Sequence, residues 1–137
     1  EIANRIPYEH SDVQAQLTAF RQSLARPEVR KVFLRSSYSG VVKVERERPF
    51  AVRLAARFVR GQIDRLVWTK AADGSQTVEI IDFKTDAIPA AAVPERTAYY
   101  RPQIEAYKRA AAAFGKLPEQ NVTATLVFTI PGCTTAV

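Results

Sequence analysis

The segment Val78–Asp86, VEIIDFKTD, constrains this chain more than any other stretch. Val78, Glu79, Ile80 and Ile81 read as a strand entering a core. Asp82, Lys84 and Asp86 then fall on alternate positions. Residues two apart on a strand project to one face, so Asp82 and Lys84 share a side. A strand that buries its first half and ends in acid, base, acid carries charge to the rim of a core. Unpaired charge is costly there.

The segments around it give this strand neighbours. Asp73-Gly74 is a hairpin signal, so the strand Thr77–Thr85 pairs back onto Gly61–Trp68, GQIDRLVW. Upstream, Val42–Arg48 reads as a strand with a polar second half, Pro49 as an edge or bulge, and Phe50–Arg60 as a further strand. The middle of the chain is therefore expected to be an antiparallel meander. Before it, Ser11 is a candidate N-cap for a helix with the apolar stripe Val13, Leu17, Phe20 and Leu24. Pro27 opens a second short helix carrying Val29, Val32 and Phe33, and Ser36–Gly40 is a loop. After it, Ala87–Thr97 reads as a loop. Ala98–Phe114 reads as a helix with Tyr100, Ile104, Tyr107, Ala111 and Phe114 on one face, Pro102 near its start and Gly115 as its cap. Asn121–Ile130 is a last strand, followed by a turn at Pro131-Gly132. The order is ααβββ(β)αβ, an α/β (α+β) fold in which helices flank the sheet.

Asp64 lies mid-strand in GQIDRL, between Ile63 and Leu66. Its strand neighbours that of Asp82, so the two carboxylates are candidate cross-strand or diagonal partners. Two carboxylates in a half-buried sheet repel, and a divalent cation removes that cost. Mg²⁺ takes oxygen ligands at about 2.0–2.1 Å and typically one or two carboxylates, keeping several waters. Such an ion activates water and polarises a phosphoryl oxygen, and Lys84 beside it suits phosphodiester hydrolysis. Singly, plainer readings hold: Asp64 paired with Arg65 or another arginine, and Asp82 with Lys84 as a surface ion pair. Taken together, the three residues favour a metal site.

GQIDRL, VEIIDFKTD and YYRPQIEAY, in this order, resemble the RecB-like nuclease domain of the PD-(D/E)xK superfamily. The resemblance is closest to the C-terminal nuclease domain of AddA-type (UvrD/RecB-like) helicase–nucleases, and ERERPFAVRL resembles the segment that enters the sheet in that family. It covers roughly Leu24 to the end. It implies a restriction-endonuclease-like core with a central mixed, mostly antiparallel sheet. It also implies Asp64, Asp82 and the backbone carbonyl of Phe83 as ligands of Mg²⁺ or Mn²⁺, Lys84 as the catalytic lysine, and Gln103 and Tyr107 as the helix motif supporting it. Gln103 and Tyr107 are four apart and share a helix face; a plain core aromatic is an equal reading of Tyr107. The family's metal-binding histidine follows a glycine on an N-terminal helix. His10, the single histidine, stands in PYEHSD and reads as a surface loop residue, so the family histidine is expected upstream of Glu1.

The implied role is a metal-dependent exonuclease, processing DNA ends for recombinational double-strand-break repair. The implied partners are DNA, helicase domains of the same polypeptide and a second helicase–nuclease subunit. The chain has 137 residues, room for one domain, and begins with Glu1, as a piece of a larger helicase–nuclease would. Lys and Arg total 20 against 14 Asp and Glu, a net charge of +6 that favours an anionic partner. Arg57, Arg60, Arg65 and Arg101 are candidate phosphate contacts, and Glu47 is a further acid near the site or a solvated strand charge. One cysteine, Cys133, excludes an internal disulfide and fits a reducing cytoplasm; the resemblance implies the bacterial nucleoid. No apolar run approaches the length of a membrane span. Two other readings stay open: an inactive nuclease-like DNA-binding or docking module, and a basic domain for protein contact.

Overall fold

The computed structural model describes residues 10–137. Its elements run α1 (His10–Ala25), α2 (Pro27–Lys31), β1 (Val41–Leu54), β2 (Arg57–Lys70), β3 (Gln76–Lys84), α3 (Val93–Gly115), β4 (Val122–Phe128) and β5 (Cys133–Ala136). The five strands form one sheet in sequence order. β1–β2, β2–β3 and β4–β5 are antiparallel, and β3–β4 is parallel. A parallel neighbour needs a crossover, and α3 supplies it. This is the expected mixed sheet flanked by helices.

Both faces of the sheet are buried at its centre. Leu66, Val78, Ile80, Leu126 and Phe128 pack with Ile104, Ala110 and Ala111 of α3 on one face. Val67, Ile81 and Val127 pack with Val29 and Val32 on the other. β3 and β4 are therefore apolar on successive residues, as strands covered on both sides are. Of the α1 stripe, only Leu24 joins a core cluster. Val13, Leu17 and Phe20 remain 38–43% exposed.

Several boundaries differ from the sequence expectation. β1 does not stop at Pro49; the ladder continues through Pro49↔Gln62 to Leu54↔Arg57. The segments expected as three strands are thus two long ones, turning at Ala55-Ala56, with Ala55 at φ 52°. No Gly, Asn or Asp marks this turn, so composition hides it. α3 starts at Val93, five residues early, and Pro102 lies inside it rather than in its first turn. The left-handed residue closing α3 is Lys116, φ 53°, not Gly115. Gly115 instead allows a close approach, since a Cβ there would meet Trp68 at 2.7 Å. β5 has no counterpart in the sequence expectation. His10 is the first residue of α1 rather than a loop residue, so Ser11 sits in its first turn and not at its N-cap. The segment before it, Glu1–Glu9, lies outside the described residues.

The hairpin β1–β2 has one irregular point. Glu47 has φ 48°, and the ladder skips the Glu47/Asp64 position. Ile63 and Leu66 pack on the same face although three residues apart. Val42 joins the α2-side core, whereas Phe50 and Val52 join the α3 side. Strict alternation forbids both patterns, so each strand changes phase once between those residues.

Candidate active site

Two separations meet at this point. The β2–β3 ladder ends at Arg65↔Ile81. The next residues on each strand, Asp64 and Asp82, would have faced one another, but the strands have parted. The Phe83 N–H, freed from the ladder, donates to Asp64 Oδ2 at 2.8 Å. A side chain thus satisfies a backbone donor that would be costly if left alone. The simple pairing of Asp64 with Arg65 does not occur. The Arg65 guanidinium lies over the Phe33 ring, 5.6 Å from its centroid.

Asp82 projects with Val78 and Ile80 toward α3 and is 4% exposed. Lys84 Nζ lies 2.6 Å from Asp82 Oδ2. This ion pair is buried, not on the surface as the plainer sequence reading has it. Burial pushes the Asp82 carboxyl above the usual carboxylate range, the Lys84 ammonium pulls it part of the way back, and the charge on Asp64 adds to the rise. Lys84 Nζ also donates to Gln103 Oε1 at 3.3 Å and sits 4.0 Å from the Tyr100 ring centroid. Gln103 Nε2 donates in turn to the Tyr107 hydroxyl at 2.9 Å. The Tyr107 ring meets Phe50 edge-on, with centroids 5.3 Å apart.

α3 is fastened at this end by Asp86. It accepts from Arg96 Nε at 2.7 Å and from the Tyr100 hydroxyl at 3.0 and 3.1 Å. Burial alone would raise the Asp86 carboxyl, but Arg96 and Tyr100 outweigh it and hold it below its ordinary value. By sequence Asp86 is only the last of three alternating charges. Its side chain binds the helix instead. By sequence Tyr100 is one member of an apolar stripe. It precedes Gln103 by three, a same-face helical spacing, and that is the signal available for its place beside Lys84.

On the opposite face Asp64 lines an open cleft with Phe33, Arg46, Glu47, Arg65 and Phe83. Phe83 stacks on Phe33 with centroids 5.6 Å apart. Glu47 is held by Gln62 Nε2. The structure thus brings Asp82, Lys84, Gln103 and Tyr107 into one chain of contacts and places Asp64 at the adjoining edge of the split. Of the four candidate arginines only Arg65 lies there, lining the Asp64 cleft. Arg57 and Arg60 lie far out on the β1–β2 ribbon, and exposed Arg101 lies on α3.

A divalent cation fits this donor set in a limited way. Two carboxylates and a backbone carbonyl are hard oxygen donors of the kind Mg²⁺ accepts, with water completing the shell. Asp82 Oδ2 is already met by the Lys84 ammonium at 2.6 Å, so a cation there would share it with the lysine. Among the described residues no group of three or more His, Cys, Asp or Glu side chains is placed to hold a metal.

The sequence matches the profile of the PD-(D/E)XK nuclease superfamily over residues 2–134. The chain belongs to that superfamily. No curated protein matches it. Membership makes this a nuclease-type domain, of a superfamily whose members generally work with divalent metals such as Mg²⁺ or Mn²⁺. No helix among the described residues is long and apolar enough to cross a membrane.

Proposed function

We propose that this PD-(D/E)XK domain is a metal-dependent deoxyribonuclease acting as an exonuclease on DNA ends. The observation that carries the reading is the contact chain Asp82–Lys84–Gln103–Tyr107 at the point where β2 and β3 part, with Asp64 at its edge. Asp64, Asp82 and the Phe83 carbonyl would hold Mg²⁺ or Mn²⁺. When bound, the ion supplies an activated water and a polarised phosphoryl oxygen. Asp82 must be ionised to serve, and its raised pKa keeps a proton on it to higher pH than an exposed aspartate would. Lys84, beside Asp82, would contact the phosphate and stabilise the charge that develops on it. Gln103 keeps the ammonium aimed at the split, and Tyr107 fixes the Gln103 amide. The low exposure of Asp82 and Lys84 keeps water from weakening their pairing.

The order of GQIDRL, VEIIDFKTD and YYRPQIEAY supports placing the domain in an AddA-type helicase–nuclease that prepares broken DNA for recombinational repair. Its partners would then be DNA, helicase domains of the same polypeptide and a second helicase–nuclease subunit, at the bacterial nucleoid. The test is Mg²⁺- and Mn²⁺-dependent degradation of single-stranded and duplex DNA by the wild type, Asp82→Ala and Lys84→Ala. Cleavage by the wild type alone is expected. Equal activity in all three would sink the mechanism. DNA binding without cleavage would favour an inactive docking module.

A further inference from the structure

The β1–β2 hairpin continues after β3 has left it. Its ladder runs on to Leu54↔Arg57, whereas β3 is paired only as far as Arg65. From Asp64 to Arg57 is seven residues, about 23 Å of two-stranded ribbon at ~3.3 Å per residue. The sequence of this ribbon is one-sided in charge. From Arg48 to Ile63 there are four arginines and no aspartate or glutamate.

The two faces of the ribbon differ. Val52 and Val59, directly opposite one another, pack with the α3-side core. Phe50 and Gly61 face Tyr107 on the same side. The alternate positions therefore face away from α3: Arg53 opposite Phe58, and Ala51 opposite Arg60. Arg53 and Arg60 are exposed, and among the described residues neither forms an ion pair. Arg53 Nε donates to the Ala55 carbonyl, which leaves its other guanidinium nitrogens free of that contact. Phe58 is 81% exposed. An apolar ring so exposed, flanked by cations that lack acids, has no role in folding the hairpin. The open face also leads somewhere. Gln62 and then Asp64 follow Phe58 and Arg60 on the same strand, and Asp64 opens into the cleft on the side away from α3.

We infer that the outer half of the ribbon is an arm that holds a single strand of DNA along this face and leads it to Asp64. The inference rests on the nuclease reading for the choice of DNA. Arg53 and Arg60 sit diagonally across the ladder, close enough to hold neighbouring phosphates of one strand. Phe58 between them offers a ring on which an unpaired base stacks, a contact that every base can make. Arg57 alternates to the opposite face and takes no part. Glu47 and Asp64 are the acids on the path, at its inner end, where the candidate metal site lies.

The test is fluorescence anisotropy of a labelled oligothymidylate, titrated over a salt series in EDTA, where nothing is cut. For the exposed double variant Arg53→Gln/Arg60→Gln, affinity is expected to fall about tenfold at low salt. The slope of log K against log salt should fall by about 1.4, or ~0.7 for each phosphate that no longer meets an arginine. Arg53→Lys/Arg60→Lys should restore the slope. Phe58→Ala should weaken binding about tenfold with the slope unchanged, since stacking carries no counterions. Arg57→Gln should change little. Unchanged affinity in both the double Gln and Phe58→Ala variants would overturn the arm, and so would an equal loss in Arg57→Gln. The two readings fail separately. A wild type that binds the oligonucleotide but never cuts it with Mn²⁺ defeats the nuclease and leaves the arm. A wild type that cuts, with KM unmoved by the double Gln variant, defeats the arm alone.

Discussion

Where β2 and β3 part, the two faces of the sheet are finished differently. On the α3 face each of these charges is matched: buried Asp82 with Lys84, Lys84 also with Gln103 and the Tyr100 ring, Asp86 with Arg96 and Tyr100. On the other face Asp64 has the Phe83 N–H and then an open cleft. A buried ion pair adds little net stability, because desolvation offsets its attraction, yet breaking it is expensive. The open carboxylate is expected to be the reverse: removing it should cost the fold little and, on the proposed function, abolish cleavage.

The largest expected effect follows on the closed face. Lys84→Ala leaves Asp82 buried without its cation and should destabilise the protein by about 3 kcal/mol. Asp82→Asn/Lys84→Ala should recover most of that loss, since no charge is left unpaired. Both proteins should lose cleavage by on the order of 10³-fold. Urea melts of the two variants check the pair. If the double variant is no more stable than Lys84→Ala, the shielded charge is not the source of the cost.

Asp64 should behave oppositely. Asp64→Ala removes one acceptor from a backbone donor at the rim, worth about 1 kcal/mol, while cleavage falls as far as in Lys84→Ala. Asp64→Asn keeps an oxygen for the Phe83 N–H and should melt like the wild type, still without activity. A stable, active Asp64→Asn would remove Asp64 from the metal site.

Proton linkage separates the two aspartates of the closed face. Asp82 is raised in the fold, so the native state binds its proton more tightly than the unfolded chain does. Its contribution is fully present at low pH and is lost as pH rises through its folded pKa. Asp86 is lowered, so its contribution is present above the ordinary carboxylate value near 3.8 and lost as pH falls through its lower folded pKa. Asp82→Asn should therefore flatten stability above pH 4, and Asp86→Asn should flatten it below. Metal affinity should decline with falling pH in the wild type, because the ligand must be ionised. Melting the metal-free proteins from pH 3 to 7, with Mn²⁺ titrations alongside, checks all three.

Much of this arrangement is legible in the chain. VEIIDFKTD shows both the buried strand and the charged end, because period-two alternation fixes faces locally. Gln103 and Tyr107 share a helix face by spacing alone. What stays hidden depends on register between strands. Nothing in ERERPFAVRLAARFVRGQ marks Ala55-Ala56 as the turn. The phase change around Glu47 and Asp64 breaks the very alternation from which faces are read, so the sequence does not assign the open face. Asp86 looks like the last charge of a strand and Tyr100 like a core residue until the crossover helix brings them together. The short strand β5 has no periodic run of its own and forms because β4 offers it an edge.

The smallest expected effect concerns how the closed face supports the ribbon. Gly61 has no side chain, and a Cβ there would lie 3.0 Å from the Phe50 ring and 3.3 Å from the Tyr107 ring. Its φ is not in the left-handed region, so the constraint is one of space. The nearest atoms belong to the Phe50 ring, which packs edge-on against Tyr107, so the clash presses on Phe50 and through it on the tyrosine tied to Gln103. Gly61→Ala should cost about 1 kcal/mol, at the low end of overpacking, and should disturb Gln103 before it disturbs the sheet. Cleavage should drop a few-fold with KM for DNA unchanged, because the arm's open face is untouched. Tyr107→Phe removes the hydroxyl without the clash and should give the same fall in kcat at full stability. If Gly61→Ala raises KM while Tyr107→Phe does not, the glycine shapes the arm rather than the lysine's support.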